Sequence, residues 1–446
     1  MSSRTPTSAS PARPDAERTP LNCCVWRYHP LRHEFETFAN GTSNPWGVDF
    51  DDHGQAFITA CVIPHMFHMI QGGRYHRQGG QHFNPYTYDD IKTIADHRTT
   101  PATFATTPGG AATNQPPTTT PTPAAACMHC GAMIYLGDNW PTEYRNTIFM
   151  ANIHGNRVNN DKLKREGSGF IATHGHDFLF ANDRWFRGIN LRYGPDGSVY
   201  LIDWYDPNAC HRNQPEIWDR SNGRIYRISY GDRKPVKVDL SKAGAAQLID
   251  YQWHKNDWYV RTARRLLQEG AEANRHAQPD AGISLFEHDL NENAHRLAEL
   301  ANSEVDVARR LRGMWALHVI RPAPTPVIGE TLTRLSAQGP LAEYVRAWGI
   351  QLALESRPTD LAPELLEKLT SLAARDPSPL CVSTSPRDCS VSRSNSVGTS
   401  PGICCSMPTM FTTITCRSCT GTRSSRWCQP IPSGRSSSRP SRRSHS

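Results

Sequence analysis

The sequence predicts a mixed fold in which a partial β-propeller precedes an α-helical solenoid. A Pro-Asp-Gly turn at 193–197 is followed by a run rich in β-branched and aromatic residues at 198–205, which favours a turn and a strand. Residues 44–60 repeat this strand, turn and strand arrangement, which is typical of a propeller blade. Beyond residue 230 the apolar period changes from two to about 3.6, which indicates helices.

The predicted strands occupy two stretches of the chain. They cover residues 25–29, 44–50, 55–60, 147–151, 198–205 and 224–230. The last of these alternates apolar and polar residues, which predicts a half-buried strand. Together they supply about two to three blades, fewer than the four to eight that close a propeller.

The predicted helices follow the strands. Residues 257–267 are amphipathic, with Asp257 as the N-terminal cap, and similar segments lie at 307–317, 343–352 and 364–374. Their recurrence at about forty residues per unit is typical of HEAT-type repeats. We interpret their aromatic residues as core rather than as a cofactor site.

We divide the chain into six regions. They are a disordered segment at 1–24, propeller blades at 25–98, a low-complexity insert at 99–130, further blades at 131–232, HEAT-like helices at 250–376, and a disordered tail at 377–446. Residues 99–126 are nearly all Thr, Pro and Ala, which cannot bury enough apolar surface to fold. A natural insertion and a pair of compensating reading-frame errors both explain them. We interpret the tail as translated out of frame, with an arginine-rich nucleic-acid tail as the alternative.

The net charge of +7 does not indicate nucleic-acid binding by the folded regions. Residues 377–446 contain nine Arg, one Asp and no Lys or Glu, so the remainder carries about −1. No run of 18 apolar residues predicts a membrane span. The first twenty residues lack the apolar segment of a secretory signal. We therefore expect no nucleic-acid partner and no transmembrane segment.

Three groups of potential metal ligands occur, and we predict no metal site at any of them. His65 and His68 have His76 and His82 nearby, but polar residues lining a propeller face, where they bind water or substrate, explain them better than a metal site. His174, His176 and Asp177 fit a polar loop. Cys127 and Cys130 form a Cys-x-x-Cys pair followed by Gly131, where c-type haem attachment requires His. We interpret these cysteines as incidental.

Several long blocks carry a resemblance to a known family. They are SNPWGVDFDDHGQAFIT, NIHGNRVN, WFRGINLRYGPDGSVYLIDWYD and DRSNGRIYRI, within residues 25–98 and 131–376. The chain resembles the membrane-bound dehydrogenase family of Planctomycetes and Verrucomicrobia, whose propeller is similar to that of soluble quinoprotein glucose and sorbosone dehydrogenases. The resemblance implies a truncated six-bladed propeller, HEAT repeats and a C-terminal c-type cytochrome domain. It also implies a periplasmic or extracytoplasmic location, with pyrroloquinoline quinone and Ca²⁺ as cofactors.

The resemblance also implies site residues. His154 follows the strand at 147–151 and would act as general base, because a histidine pKa lies near neutral pH. Arg157 and Arg187 complete the predicted catalytic set, and the predicted cofactor-binding set is Asn156, Asp203 and Trp204. The alternative is a structural His-Gly turn with Arg157 solvated or paired with Asp161.

The sequence thus leads to two functional hypotheses. The first is a quinone-linked dehydrogenase of sugars or alcohols that passes electrons to a c-type cytochrome or another acceptor. Haem c is expected in the full-length family, but this chain contains no Cys-x-x-Cys-His. The second is a non-catalytic carbohydrate- or protein-binding propeller with a helical docking arm. Whether the chain is an enzyme stays open, since a truncated propeller leaves a sheet edge unpaired.

Overall fold

The structure is a computed structural model of the 446-residue chain. The described residues are 7–8, 19–21, 23–29, 33–42, 44–61, 65–77, 80, 82, 89–96, 129–153, 155–207, 221–275, 284–303, 306–320, 342–354, 376–383, 403–404 and 417–418. They form a mixed architecture of several sheets followed by helices.

Short sheets form the N-terminal part. Strands β1 (Thr7–Ser8) and β2 (Thr19–Pro20) pair with each other. The next sheet contains β3 (Val25–His29), β4 (Glu34–Gly41) and β8 (Arg74–Tyr75), with β8 parallel to β4. Another contains β5 (Pro45–Phe50), β6 (Ala56–Ala60) and β7 (Met66–Met69).

The turn between β5 and β6 is held by a side chain. The Asp51 carboxylate accepts hydrogen bonds from the backbone N–H groups of His53 and Gln55, at 2.9 and 2.8 Å. Gly54 adopts a φ of +73°, which a residue with a side chain rarely tolerates. The Asp-Asp-His-Gly sequence therefore specifies this turn locally.

The next two sheets along the chain carry the candidate functional site. One is a four-stranded antiparallel meander of β9 (His129–Ile134), β10 (Thr147–Asn152), β11 (Arg157–Glu166) and β12 (Gly169–Phe180). The other contains β13 (Gly188–Tyr193), β14 (Val199–Asp203) and β15 (Arg224–Ile228). β9 and β10 are buried throughout, so this part of the sheet is covered on both faces.

Helices follow the sheets. They are α1 (Ala245–Asp250), α2 (Asp257–Arg275), α3 (Leu285–Ser303), α4 (Val307–Ile320), α5 (Ala342–Leu354) and α6 (Pro379–Ser383). Buried side chains from all six helices, such as Leu267, Leu297 and Leu311, form one apolar core. A final pair, β16 (Ile403–Cys404) and β17 (Arg417–Ser418), lies in the C-terminal region.

Specific polar contacts join the helices to the sheets. Trp348 on α5 donates its indole N–H to the backbone oxygen of His53 at 2.7 Å. The guanidinium of Arg165 on β11 pairs with Glu343 and lies 4.8 Å from the Tyr344 ring centroid. Arg261 on α2 bonds to Asp49 on β5 at 2.7 Å. Helices α2 and α5 therefore pack directly on the sheet region.

The predicted strands and three of the four predicted helices are confirmed. Asp257 is the first helical residue of α2 rather than its cap, since Asn256 Oδ1 accepts from the backbone N–H of Trp258 at 3.0 Å. The predicted helix at 364–374 lies outside the described residues, as does most of the tail. Of the insert predicted at 99–130, residues 99–128 also lie outside them, and residues 129 and 130 belong to β9. The truncated propeller and the HEAT solenoid stay predictions. Within the described ranges, no helix has the length and apolar character needed to cross a bilayer.

Candidate functional site

Strand β11 carries buried polar side chains at alternate positions. Arg157, Asn159 and Asp161 are 8%, 7% and 1% exposed. A strand directs alternate residues to the same face, so the three project together. Burying them is costly unless partners satisfy them. The facing strand β12 supplies those partners.

Asp177 on β12 binds the first two of these side chains. Its Oδ2 atom accepts from Arg157 Nη1 at 2.6 Å, and its Oδ1 atom accepts from Asn159 Nδ2. The Asp177 and Arg157 side chains are each 10% exposed. A charge-assisted hydrogen bond in such a setting is stronger than one between neutral groups. Asp177 therefore fixes the Arg157 guanidinium.

Asp161 lies next to two histidines and forms a hydrogen bond with one of them. Its Oδ1 atom lies 3.2 Å from His174 Nδ1, and its Oδ2 atom lies 3.6 Å from Nε2 of His65, just before β7. Asp161 and His65 are buried, whereas the His174 side chain is 41% exposed. We call Arg157, Asn159, Asp161, His174 and Asp177 the β11–β12 network.

The His174 imidazole is suited to proton transfer. Its hydrogen bond to Asp161 raises the pKa of His174 above its ordinary value, and this outweighs partial burial, which acts in the opposite direction. Nε2 of His174 lies 4.0 Å from Asp177 Oδ1. A carboxylate on Nδ1 also fixes the tautomer, leaving Nε2 as the nitrogen that can accept a proton when the ring is neutral.

The network continues toward β9. The rings of His65 and His129 lie 4.4 Å apart between centroids. Next to His129, Cys130 Sγ lies 3.7 Å from Cys61 Sγ, and both cysteines are buried. Cys130 of the Cys-x-x-Cys pair thus packs against Cys61, while Cys127 lies outside the described residues.

Four of the predicted site residues meet at neighbouring loops. The Asn156 amide donates to the backbone oxygens of Arg184 and Phe186, at 3.2 and 2.8 Å. Asp203 Oδ1 accepts from the backbone N–H of Arg187 at 2.7 Å. Trp204 donates its backbone N–H to the Arg187 oxygen at 3.1 Å.

Most of these side chains bind backbone groups and so stabilise the conformation of the loops. The Arg187 guanidinium donates to the backbone oxygens of Phe186 and Pro207, at 2.8 and 3.0 Å, and Arg187 is 4% exposed. Asp203 Oδ1 also accepts from the backbone N–H of Tyr205. Arg187, Asp203 and Asn156 thus hold the loops in place, and Trp204 is 39% exposed beside them.

Other predicted residues stand apart from this group. Arg157 joins the β11–β12 network, where its partner is Asp177 rather than Asp161. His154 lies outside the described residues, so its role as base stays a prediction. The residues that flank His154 are hydrogen-bonded to each other. Asn152 is buried, and its Oδ1 atom accepts from the backbone N–H of Gly155 at 2.8 Å.

The candidate metal histidines have other contacts. His68 Nε2 lies 3.1 Å from Gln55 Oε1, and burial lowers the pKa of His68 to about 4. His82 Nε2 lies 3.2 Å from Asp90. A bulge at Asn160/Asp161 separates His174 from His176, which lies beside Tyr144. Across the described part of the chain, no group of three His, Cys, Asp or Glu side chains is placed to hold a metal ion.

Sequence reasoning missed the link between Asp161 and the two histidines. Asp161 and His174 are 13 residues apart on paired strands, whereas His65 is far from both in the chain. The packing of the segment before β7 against β11 joins the three. One signal was present: Arg157, Asn159 and Asp161 alternate within a strand that enters an apolar core. Such a pattern indicates an internal polar network rather than a solvated face.

Fold and site together define a sheet-rich protein with a histidine–aspartate–arginine network inside its largest sheet. Residues 6–232 match the model of a domain of unknown function, DUF7133. The chain belongs to this family. No curated protein matches it.

Several solved structures are similar to part of the chain. One is a "putative oxidoreductase (glucose dehydrogenase)" from Thermus thermophilus, with 16% identity, a TM-score of 0.27, and coverage of 43% of this chain and 47% of that one. Two others are glucose dehydrogenases with 16% and 14% identity and TM-scores of 0.24 and 0.25. They cover 44% and 45% of this chain, and 43% and 49% of theirs. The chain thus spans less than half the length of each.

Proposed function

We propose that the protein is a dehydrogenase that oxidises a hydroxyl group of a sugar or alcohol. The observation that carries this proposal is His174, partly exposed and bound at Nδ1 by the buried Asp161. Oxidation of an alcohol removes the hydroxyl proton and a hydride equivalent from the carbon. A base within hydrogen-bond reach accelerates such a step by about 10²–10⁴-fold.

In this mechanism, His174 Nε2 takes the proton from the substrate hydroxyl. Asp161 stabilises the imidazolium that forms, as a buried carboxylate does for a catalytic histidine. Arg157, fixed by Asp177, orients the substrate or cofactor from the adjacent position. The predicted base His154 is the competing assignment, and Arg187, Asn156 and Asp203 act by holding the surrounding loops.

The acceptor in this proposal is a quinone, of the pyrroloquinoline type. Arg157 Nε is buried and, within the described residues, has no hydrogen-bond partner, so it can donate to a quinone oxygen or carboxylate. When bound, the quinone supplies the two-electron acceptor. The described residues offer no set of ligands for Ca²⁺, and no step is assigned to it.

The wider setting of the proposal follows the family resemblance. Electrons would pass from the quinone to a c-type cytochrome on another chain or domain, outside the cytoplasm. HEAT-type repeats built from the helical region would dock that acceptor. No covalent haem is expected on this chain, because Gly131 follows Cys130 where the attachment motif requires His.

The test is a dye-linked assay of the purified chain with added quinone and a panel of aldoses and primary alcohols. His174→Gln keeps polarity but cannot act as a base, so turnover should fall about 10²–10⁴-fold. His176→Gln is the matched control on the same strand, since His176 lies beside Tyr144 and Phe178 instead. It should keep near-normal turnover.

Two results would contradict this assignment. If no substrate reduces the dye, the dehydrogenase proposal is wrong. If substrate oxidation survives in His174→Gln, His174 is not the base, and a loss of activity in His154→Gln would assign that role to His154.

A specific observation favours the non-catalytic alternative. Trp26 and Tyr28 alternate on β3 and are 57% and 49% exposed. Exposed aromatic rings on one strand face form a flat surface of the kind that binds sugar rings through apolar contact. Retention on a carbohydrate matrix that is lost in Trp26→Ala, without any dye reduction, would support a binding module.

A further inference from the structure

A cleft lies between the sheets and the helices, away from the β11–β12 network. Its volume is about 720 Å³, within the roughly 300–1,000 Å³ of small-molecule sites. The β5–β6 turn and the end of β13 form one side, and helices α2, α4 and α5 form the other. We call it the sheet–helix cleft.

Most charged groups of the cleft are already paired. Arg261 binds Asp49 at 2.7 Å and also Asp257. Arg312 donates to Asp257 Oδ1 at 3.1 Å and to the backbone oxygen of His254 at 3.0 Å. These groups fix the helices on the sheet and are not available to a ligand.

Three further polar groups of the cleft wall are not satisfied. Arg264 Nη1, Trp315 Nε1 and the Tyr193 hydroxyl are buried and have no hydrogen-bond partner among the residues the structure describes. Arginine and tryptophan side chains only donate, and a tyrosine hydroxyl can donate. Buried donors without acceptors are rare in folded proteins, and each requires an explanation.

Two of these donors are close together, and the Tyr193 hydroxyl lines the same cleft. The Arg264 guanidinium lies 5.1 Å from the Trp315 ring centroid, and Trp315 packs edge-on against Trp348. Burial lowers the pKa of Arg264 to about 10. Asp257 acts in the opposite direction, and the neighbouring Arg261 and Arg312 add to the lowering. Arg264 is therefore a cation whose environment favours an added negative charge.

The remaining wall of the cleft is apolar and aromatic. It is formed by Val48, Phe50, Trp258 and the rings of Trp315 and Trp348. A ligand that fills it needs a flat apolar body as well as an anionic end. Four aspartates and four arginines line the cleft, so its formal charges balance. A singly charged anion suits such a site better than a multiply charged one such as phosphate.

We propose that the sheet–helix cleft binds a small monocarboxylate with a planar apolar body. The carboxylate accepts from Arg264 Nη1 and Trp315 Nε1, and the Tyr193 hydroxyl donates a third hydrogen bond. The aromatic rings cover the body of the ligand. This site is separate from the proposed dehydrogenase site and does not depend on it.

Titration calorimetry on the full chain tests the proposal with benzoate and indole-3-acetate as probes. Benzamide is the neutral comparison, and inorganic phosphate tests for general anion binding. We expect both carboxylates to bind at least tenfold more tightly than benzamide, because a charge-assisted hydrogen bond to arginine is lost in the amide. Phosphate should bind more weakly than either.

Arg264→Met should weaken benzoate binding at least tenfold. The matched control is Arg265→Met on the same helix, because Arg265 is exposed and pairs with Glu269. Tyr193→Phe removes only the hydroxyl, so it should fold normally and weaken binding a few-fold. If Arg264→Met does not fold, the benzoate affinity of Tyr193→Phe tests the proposal instead.

Three outcomes would overturn the proposal. They are no binding of either carboxylate, equal binding of benzamide, and unchanged affinity in both Arg264→Met and Tyr193→Phe. A fourth outcome, tighter binding of phosphate than of benzoate, would identify a general anion site and would also contradict the proposal.

Discussion

The β11–β12 network and the sheet–helix cleft both bury arginine beside aspartate, yet their hydrogen bonding differs. In the network, Asp177 binds Arg157, and Asp161 lies between His65 and His174. In the cleft, Arg261 and Arg312 share Asp257, while Arg264 Nη1 is left without a partner in the described residues. The same residue types thus position a titratable histidine in one region and leave donors for a ligand in the other.

The largest effect should come from removing the shared acid of the cleft. Asp257→Ala removes the carboxylate that pairs with both Arg261 and Arg312, so the repulsion between these two positive charges is no longer offset. Breaking a buried ion pair in this way costs about 3–5 kcal/mol. Urea unfolding should show the loss. Glu269→Ala, which removes the exposed partner of Arg265, is the control and should cost under about 1 kcal/mol.

The pH dependence of Asp257 sharpens the same prediction. Burial would raise the pKa of Asp257, but Arg261 and Arg312 outweigh burial and hold it below its ordinary value. A lowered acid pKa contributes stability above the unfolded pKa, and that contribution is lost as the pH falls below about 4. If Asp257→Ala and wild type differ equally at pH 3 and pH 7, the carboxylate is not the stabilising group.

A smaller effect of opposite sign should come from Asp51. Burial raises the pKa of Asp51 to about 7, although the backbone N–H groups of His53 and Gln55 favour its charged form. A raised acid pKa costs stability as the pH rises from about 4 to 7. The shift from 3.8 to about 7 corresponds to roughly 4 kcal/mol. Asp51→Asn keeps an acceptor for the turn, but an amide oxygen accepts less strongly than a carboxylate. The variant should therefore stabilise the protein by about half of that, about 2 kcal/mol, at pH 8 and little at pH 4.

Thermal unfolding at the two pH values checks the Asp51 prediction. Asp52→Asn provides a contrast in the same turn, because Asp52 binds Arg145 at 2.9 Å and loses that pair on substitution. It should destabilise at pH 8. Stabilisation by both variants, or by neither, would show that burial of Asp51 does not govern the turn.

The fold was predictable where the signal is local. Strand β14 follows a Pro-Asp-Gly turn, and helix α2 begins at an acid with an amphipathic pattern after it. Each is specified by neighbouring residues. Helix α3 was not predicted, although its buried residues Leu290, Ala294, Leu297 and Ala301 recur at helical spacing.

The candidate sites could be predicted only in part, because they are formed by contacts between segments that no local sequence pattern reveals. Asn156, Arg187, Asp203 and Trp204 were predicted together, and the structure brings them together, but largely as backbone supports. The Asp161–His174 contact joins two adjacent strands, while the cleft joins residues up to 300 positions apart, from Val48 to Trp348. Burial and unsatisfied donors become visible only when these elements are packed.

The smallest effect should come from His174, which tests the charge pairing of the network directly. Its hydrogen bond to Asp161 raises its pKa, so the stability that it contributes is fully present below about pH 6.5 and is lost as the pH rises through the folded-state pKa. The side chain is 41% exposed, so solvent screening limits the contribution to under about 1 kcal/mol. His174→Gln should therefore lower the free energy of unfolding at pH 5.5 and change it little at pH 9. His176→Gln should show no such difference between the two pH values. A pH-independent effect of His174→Gln would mean that Asp161 binds the neutral ring, and the contrast between a charge-paired network and a donor-rich cleft would lose its basis.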